Sequence, residues 1–133
     1  MIENVKKFHE KFNLPLGDAD VLMSDLQAQN FRIKFIEEEL EELKEALASN
    51  DKVKLFDALL DLDFVVKGAA LFAGISPEQW NLGHDAVFTA NMAKIRVAKE
   101  SESKRGSSFD VVKPEGWQGP EEKLFEILFG RGE

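Results

Sequence analysis

Residues 52–72, KVKLFDALLDLDFVVKGAALF, constrain the fold more than any other stretch. Apolar side chains recur on almost every side of the helix they would form. Such a helix must be covered by several neighbours at once. The rest of the chain supplies them. Ile2, Val5, Phe8 and Phe12 recur at three- and four-residue intervals and predict a first helix stopping near NLPLGD. A long helix is expected from about Asp20 to Ser49. Beyond the apolar helix, Gly74 reads as a C-cap, and SPEQ supplies an N-cap (Ser76), a first-turn proline (Pro77) and a capping-box partner (Gln79). That fourth helix is expected to run to about Lys99. The polar stretch 100–108 reads as a mobile loop. Residues 109–129 read as an ordered tail, because Phe109, Val111, Val112 and Trp117 need somewhere to dock; Pro120 opens a short last helix. Only Phe109–Val112 would suit an extended piece. The expectation is an all-α antiparallel bundle of four main helices and a short C-terminal one, a single domain spanning 1–133.

Charge narrows the function. A net charge of −8 argues against a nucleic-acid polymer as partner, since a phosphate backbone repels it. A small phosphorylated ligand remains open, because a divalent cation reverses the local sign. With no cysteine, thiolate zinc sites and a cysteine nucleophile are excluded. No basic-then-apolar leader and no long uncharged apolar run is present, so a cytoplasmic protein with no membrane association is expected.

The acids are concentrated in RIKFIEEELEELKEAL, residues 32–47. At about 100° per residue they fall into two classes. Ile36, Leu40, Leu43 and Leu47 form one apolar stripe, with Ile33 and Arg32 at its margins. Lys34, Glu37, Glu41, Lys44 and Glu45 fall opposite and read as a solvated face. Glu38, Glu39 and Glu42 share the remaining sector with Phe31, Phe35 and Ala46. Two like charges ~5 Å apart at an effective dielectric of ~20 cost about 3 kcal/mol. A cation or a raised pKa relieves that repulsion, and a merely wet face avoids it.

Asp57 and Asp61 add a second acidic stripe, one turn apart in the apolar helix. Unpaired aspartates are rare in cores. Asp63 is better read as a salt-bridge partner of Lys67. Clustered carboxylates facing each other across a helix pair suit hard cations, Mg²⁺ or Mn²⁺. On the fourth helix Asn91 and Lys94 lie one turn apart and could take a phosphate. His9 and His84 are lone histidines, more in keeping with structural roles.

FIEEELEEL followed by an acid pair in an apolar helix resembles the all-α nucleoside triphosphate pyrophosphohydrolases. These include MazG-like proteins, dimeric dUTPases and phosphoribosyl-ATP pyrophosphohydrolases. The likeness extends through DALLDLDFVVKGAALFAGI and VFTANMAK to DVVKPEGWQGPE, and is nearest to small single-domain phosphoribosyl-ATP pyrophosphohydrolase-like members. Their pattern is E-E-x-x-E, matched by Glu38, Glu39 and Glu42, then E-x-x-D ending at Asp61. Position 58 is Ala58, and the acid stands at Asp57 instead, which places a water-mediated role there.

The resemblance implies Mg²⁺-dependent hydrolysis of the α–β phosphoanhydride of a nucleoside triphosphate, giving monophosphate and pyrophosphate. Glu38, Glu39, Glu42, Asp61 and, less directly, Asp57 would hold metal, with Glu39 or Glu38 as base. Asn91, Lys94, Lys104 and Arg105 would meet phosphates, and Phe31, Phe35 and Trp80 stay open as stacking surfaces for the base. The tail and the Asp57 spacing favour nucleotide-pool house-cleaning over phosphoribosyl-ATP as substrate. Excess apolar surface on two helices, with the resemblance, predicts a homodimer, with pairing into a tetramer open. One rival is a non-enzymatic acidic dimerisation module. A di-iron bundle would need Glu-x-x-His, which neither histidine completes.

Overall fold

A computed structural model describes residues 1–17 and 19–130, with residues 19–21 described by their backbone alone. Two compact units are present, Met1–Trp80 and Asn81–Glu133.

The first unit holds α1 (Ile2–Lys11), α2 (Ala19–Ser24), α3 (Leu26–Ala48) and α4 (Lys52–Phe72). It also includes the opening of α5 (Pro77–Met92). The expected long second helix is two helices. Asp25 interrupts it, because its carboxylate accepts from the backbone N–H of Gln27 and Ala28 (3.0 and 3.2 Å) and so caps α3. Asp51 caps α4 in the same way, and Asn50 makes the intervening turn with φ at 53°. The resulting α3–α4 hairpin is antiparallel, pairing Arg32 with Val65 and Glu39 with Asp61. Gly74 takes φ 80° after α4, and Ser76 and Gln79 exchange the two bonds of a capping box (2.9 and 3.1 Å). Both features match expectation.

Ile2 and Val5 of α1 pack on Ala70 and Leu71 of α4, with Phe64, Ile75 and Trp80 around them. The stripe expected to face the core on α3 does so only in part within the chain: Ile36 and Leu43 are half-buried, whereas Leu40 and Leu47 are 39% and 60% exposed and Ile33 at its margin is 52% exposed. The side chains α3 buries are Arg32 and Ala46. The cause is which sector meets α4: it is the one carrying Phe35, Glu39 and Ala46.

In the second unit, β1 (Ile95–Arg96) and β2 (Val111–Val112) form a two-stranded antiparallel ladder, Ile95 opposite Val112 and Arg96 opposite Val111. The expected extension of the fourth helix to Lys99 is therefore corrected: it ends at Met92, where the chain turns to enter the ladder. A 3₁₀ turn covers Glu100–Glu102. Beyond it, Asp110 accepts from Ser103 Oγ and Arg105 Nη2 at 2.8 and 2.7 Å. Those bonds pull its pKa down to about 2, led by the Arg105 hydrogen bond. Trp117 docks by donating its indole N–H to the Ala90 carbonyl (2.7 Å). The last helix, α6, spans Glu121–Phe129, and its Leu124 touches α5 at Gly83.

Candidate active site

Glu39, Glu42 and Asp61 converge from the facing sides of α3 and α4. One carboxylate oxygen from each lies within 4.8 Å of the others. Glu39 and Glu42 meet because residues three apart share a helix face; Asp61 joins them through the antiparallel hairpin. Glu42 is exposed, whereas Glu39 and Asp61 are half-buried.

Glu39 is the strained member. Its Oε2 is buried without a hydrogen-bond partner among the described residues. Its pKa is raised, first by burial, then by the charges of Glu42 and Asp61, a hydrogen bond with Glu42 and the charge of Glu38. A buried carboxylate oxygen among like charges is costly unless a proton or a cation neutralises it. Three clustered carboxylates form an all-oxygen donor set, which suits a hard divalent cation. The residues therefore fit the metal that the sequence led us to expect.

Of the other anticipated ligands, Glu38 acts on Glu39 through its charge but lies outside the close trio. It lines an exposed acidic groove with Glu37, Glu41 and Glu45. Asp57, one turn before Asp61, is exposed and also outside the trio. Asp63 pairs with Lys67 at 2.6 Å, the salt bridge anticipated for it. Glu41 pairs with Lys44 at 2.9 Å, as a solvated face would.

Phe35 lies one turn from Glu39 on the same face, in edge contact with Phe31 (centroids 5.9 Å apart). Asn91, Lys94, Lys104 and Arg105 belong to the second unit. There Asn91 is exposed, and its carbonyl accepts the Lys94 N–H at 3.1 Å. The Lys94 ammonium stands 5.3 Å from the Trp117 ring, and Arg105 is held by Asp110. Lys104 is exposed.

Arg32 and His9 were not anticipated as site residues, yet they are the buried polar side chains of the described chain. For Arg32 the available signal was a cation at the margin of an apolar stripe.

A family model described as phosphoribosyl-ATP pyrophosphohydrolase matches residues 5–81, a span that contains Glu39, Glu42 and Asp61. Comparison with curated proteins and with solved structures returns no match.

Proposed function

We propose that this chain, which belongs to the phosphoribosyl-ATP pyrophosphohydrolase family, hydrolyses the α–β phosphoanhydride of a nucleotide triphosphate group and releases pyrophosphate. The observation that carries the reading is the convergence of Glu39, Glu42 and Asp61 inside the matched span. Phosphoribosyl-ATP is the substrate the family match favours, in preference to the house-cleaning role that the tail suggested. An ordinary nucleoside triphosphate is the second reading, since the same bond would be cut.

Glu39, Glu42 and Asp61 would hold Mg²⁺ or Mn²⁺, which when bound polarises phosphate oxygens and lowers the pKa of water. The protein's own part is then positional and basic. Glu39 would accept the proton of the attacking water, a role supported by its place beside Glu42 and Asp61. Water oxygen bonds to phosphorus, the bridging P–O bond breaks, and its electron pair leaves with pyrophosphate. Glu42 and Asp61 keep the site anionic, so that it recruits cation and polyphosphate together. Glu38 deepens that field.

The reading includes a second copy of the chain. Leu26, Ile33, Leu40 and Leu47 repeat every seven residues along α3, the spacing of a helix–helix seam. Phe56, Leu59 and Leu60 are exposed on α4. A two-fold dimer would bury such a stripe against itself.

Pyrophosphate release from phosphoribosyl-ATP and from a panel of canonical and damaged triphosphates tests the proposal, with Mg²⁺ and with EDTA. Metal-dependent release from at least one substrate is expected. Absence of release from all of them would overturn it.

A further inference from the structure

Arg32 is 9% exposed and donates through Nη2 to the Val65 carbonyl at 3.1 Å, while its Nε is buried without a partner among the described residues. No salt bridge is made to it among those residues. Guanidinium keeps its charge in proteins, so α3 buries a cation that has no counter-ion. Phe31, Phe35 and Phe72 stand 5.8, 5.7 and 6.0 Å from it and offset only part of that cost. An apolar side chain of similar length would hold two helices together more cheaply. Arg32 therefore supplies something that an apolar contact does not.

What it supplies is direction. Arg32, Glu39 and Ala46 recur every seven residues on α3, so they lie along one seam toward α4. At one end the Asn50 turn and the Asp51 cap join the two helices, and the small residue Ala46 is buried close by. Glu39 comes next and meets Asp61, where like charges push the helices apart. Arg32 lies two turns further on, about 10 Å along α3 from Glu39. There its guanidinium enters the space left by the missing side chain of Gly68, since a Cβ at that position would stand 2.5 Å from Nη2. Apolar contacts tolerate small slides, whereas a hydrogen bond to one carbonyl is limited in distance and angle. The repelling acids are thus held between a covalent turn and a directed bond.

We propose that Arg32 is a positioning residue for the acidic centre: its bond to Val65 keeps the far half of α3 against α4 and so sets the approach of Glu39 to Asp61. The inference rests on the reading of Glu39, Glu42 and Asp61 as a cation site, and it assigns Arg32 no contact with cation or substrate.

Charge and position predict opposite signs, which separates them. Removing a positive charge ~10 Å from an anionic site tightens cation binding, because the repulsion it exerted is gone. Loosening the approach of the ligands weakens binding. Mn²⁺ binding to the full chain is measured by titration calorimetry, with thermal melts of the metal-free proteins alongside.

Arg32→Met is expected to raise the Mn²⁺ Kd about tenfold or more, the scale on which residues supporting a metal's ligands act. Gly68→Ala is expected to do the same, and it carries the test should Arg32→Met fail to fold. Its Cβ drives the guanidinium from the Val65 carbonyl while the charge remains, and alanine favours the helix. Ile2→Ala, in the core between α1 and α4, is expected to lower the melting temperature and leave Kd unchanged. Wild-type or tighter Mn²⁺ binding by Arg32→Met or Gly68→Ala would overturn the assignment. So would a wild type that binds no Mn²⁺, or an Ile2→Ala that loses affinity as much as Arg32→Met. Mn²⁺ binding that depends on Arg32, without pyrophosphate release, would leave the assignment standing and remove the proposed reaction.

Discussion

Glu39 and Asp61 sit on different helices, twenty-two positions apart, and their carboxylate oxygens still come within 4.8 Å, with Glu42 as the third member. The α3–α4 hairpin does this by turning the sector with Phe35 and Glu39 toward α4, which leaves Leu40 and Leu47 exposed. Folding therefore carries an electrostatic cost at this point, and several measurable consequences follow from it.

Mg²⁺ or Mn²⁺ is expected to raise the melting temperature, because a cation that binds only the folded site stabilises it by about 2.7 kcal/mol at a hundredfold excess over Kd. Asp61→Asn should abolish that response. Differential scanning fluorimetry against metal concentration measures both. A metal-insensitive wild type would show that the trio is not a cation site.

The two classes of glutamate should separate in activity. Glu39→Gln and Asp61→Asn are expected to lower kcat by about 100-fold or more, the scale of a lost general base. Glu37→Gln and Glu41→Gln, on the exposed side, should stay within about twofold, since surface changes rarely matter beyond that. Equal losses at all four would mean that the division of α3 is wrong. Asp57→Asn should cost less than Asp61→Asn, because Asp57 lies outside the trio.

Metal-free stability should fall with rising pH. Glu39 has a folded-state pKa raised above 4.5, so the native state holds its proton more tightly than the unfolded chain does. The stability this contributes is fully present below pH 4.5 and is lost as pH rises through the folded value. Asp110 has the opposite sign: its contribution is present above its ordinary value of 3.8 and is lost as pH falls toward about 2. Urea melts across pH 3 to 8 check both. Glu39→Gln should flatten the upper limb and leave the acid limb unchanged.

Much of this was legible from short-range spacing. The Ser76–Gln79 capping box, the Gly74 turn and the Asp63–Lys67 pair are three- and four-residue relationships, which helix geometry settles locally. The same rule put Glu39 and Glu42 on a sector apart from Glu37 and Glu41. Residues that depend on distant partners were harder to read. Helix periodicity marks Leu40 and Leu47 as apolar but not which neighbour covers them, and within the chain α4 takes the other face. The burial of Arg32 depends on the missing side chain of Gly68, thirty-six residues away. The Ile95–Val112 ladder is two residues long, too short to leave an alternating pattern.

The exposed seam on α3 should govern assembly. Wild type is expected to sediment at twice the 15.0 kDa chain mass or more. Leu40→Glu or Ile33→Glu should give a folded monomer, because both positions are exposed in the single chain. An active wild-type monomer at low micromolar concentration would remove the seam from the proposal.

Pyrophosphate release from phosphoribosyl-ATP by wild type and Glu39→Gln, side by side with Mg²⁺, puts the role of the trio to the most direct test. The expected result is one pyrophosphate per substrate from wild type, none after EDTA, and a loss of about 100-fold or more in a folded Glu39→Gln. Wild-type rates from Glu39→Gln, or orthophosphate in place of pyrophosphate, would contradict the reading of Glu39, Glu42 and Asp61 as a metal-dependent pyrophosphohydrolase centre.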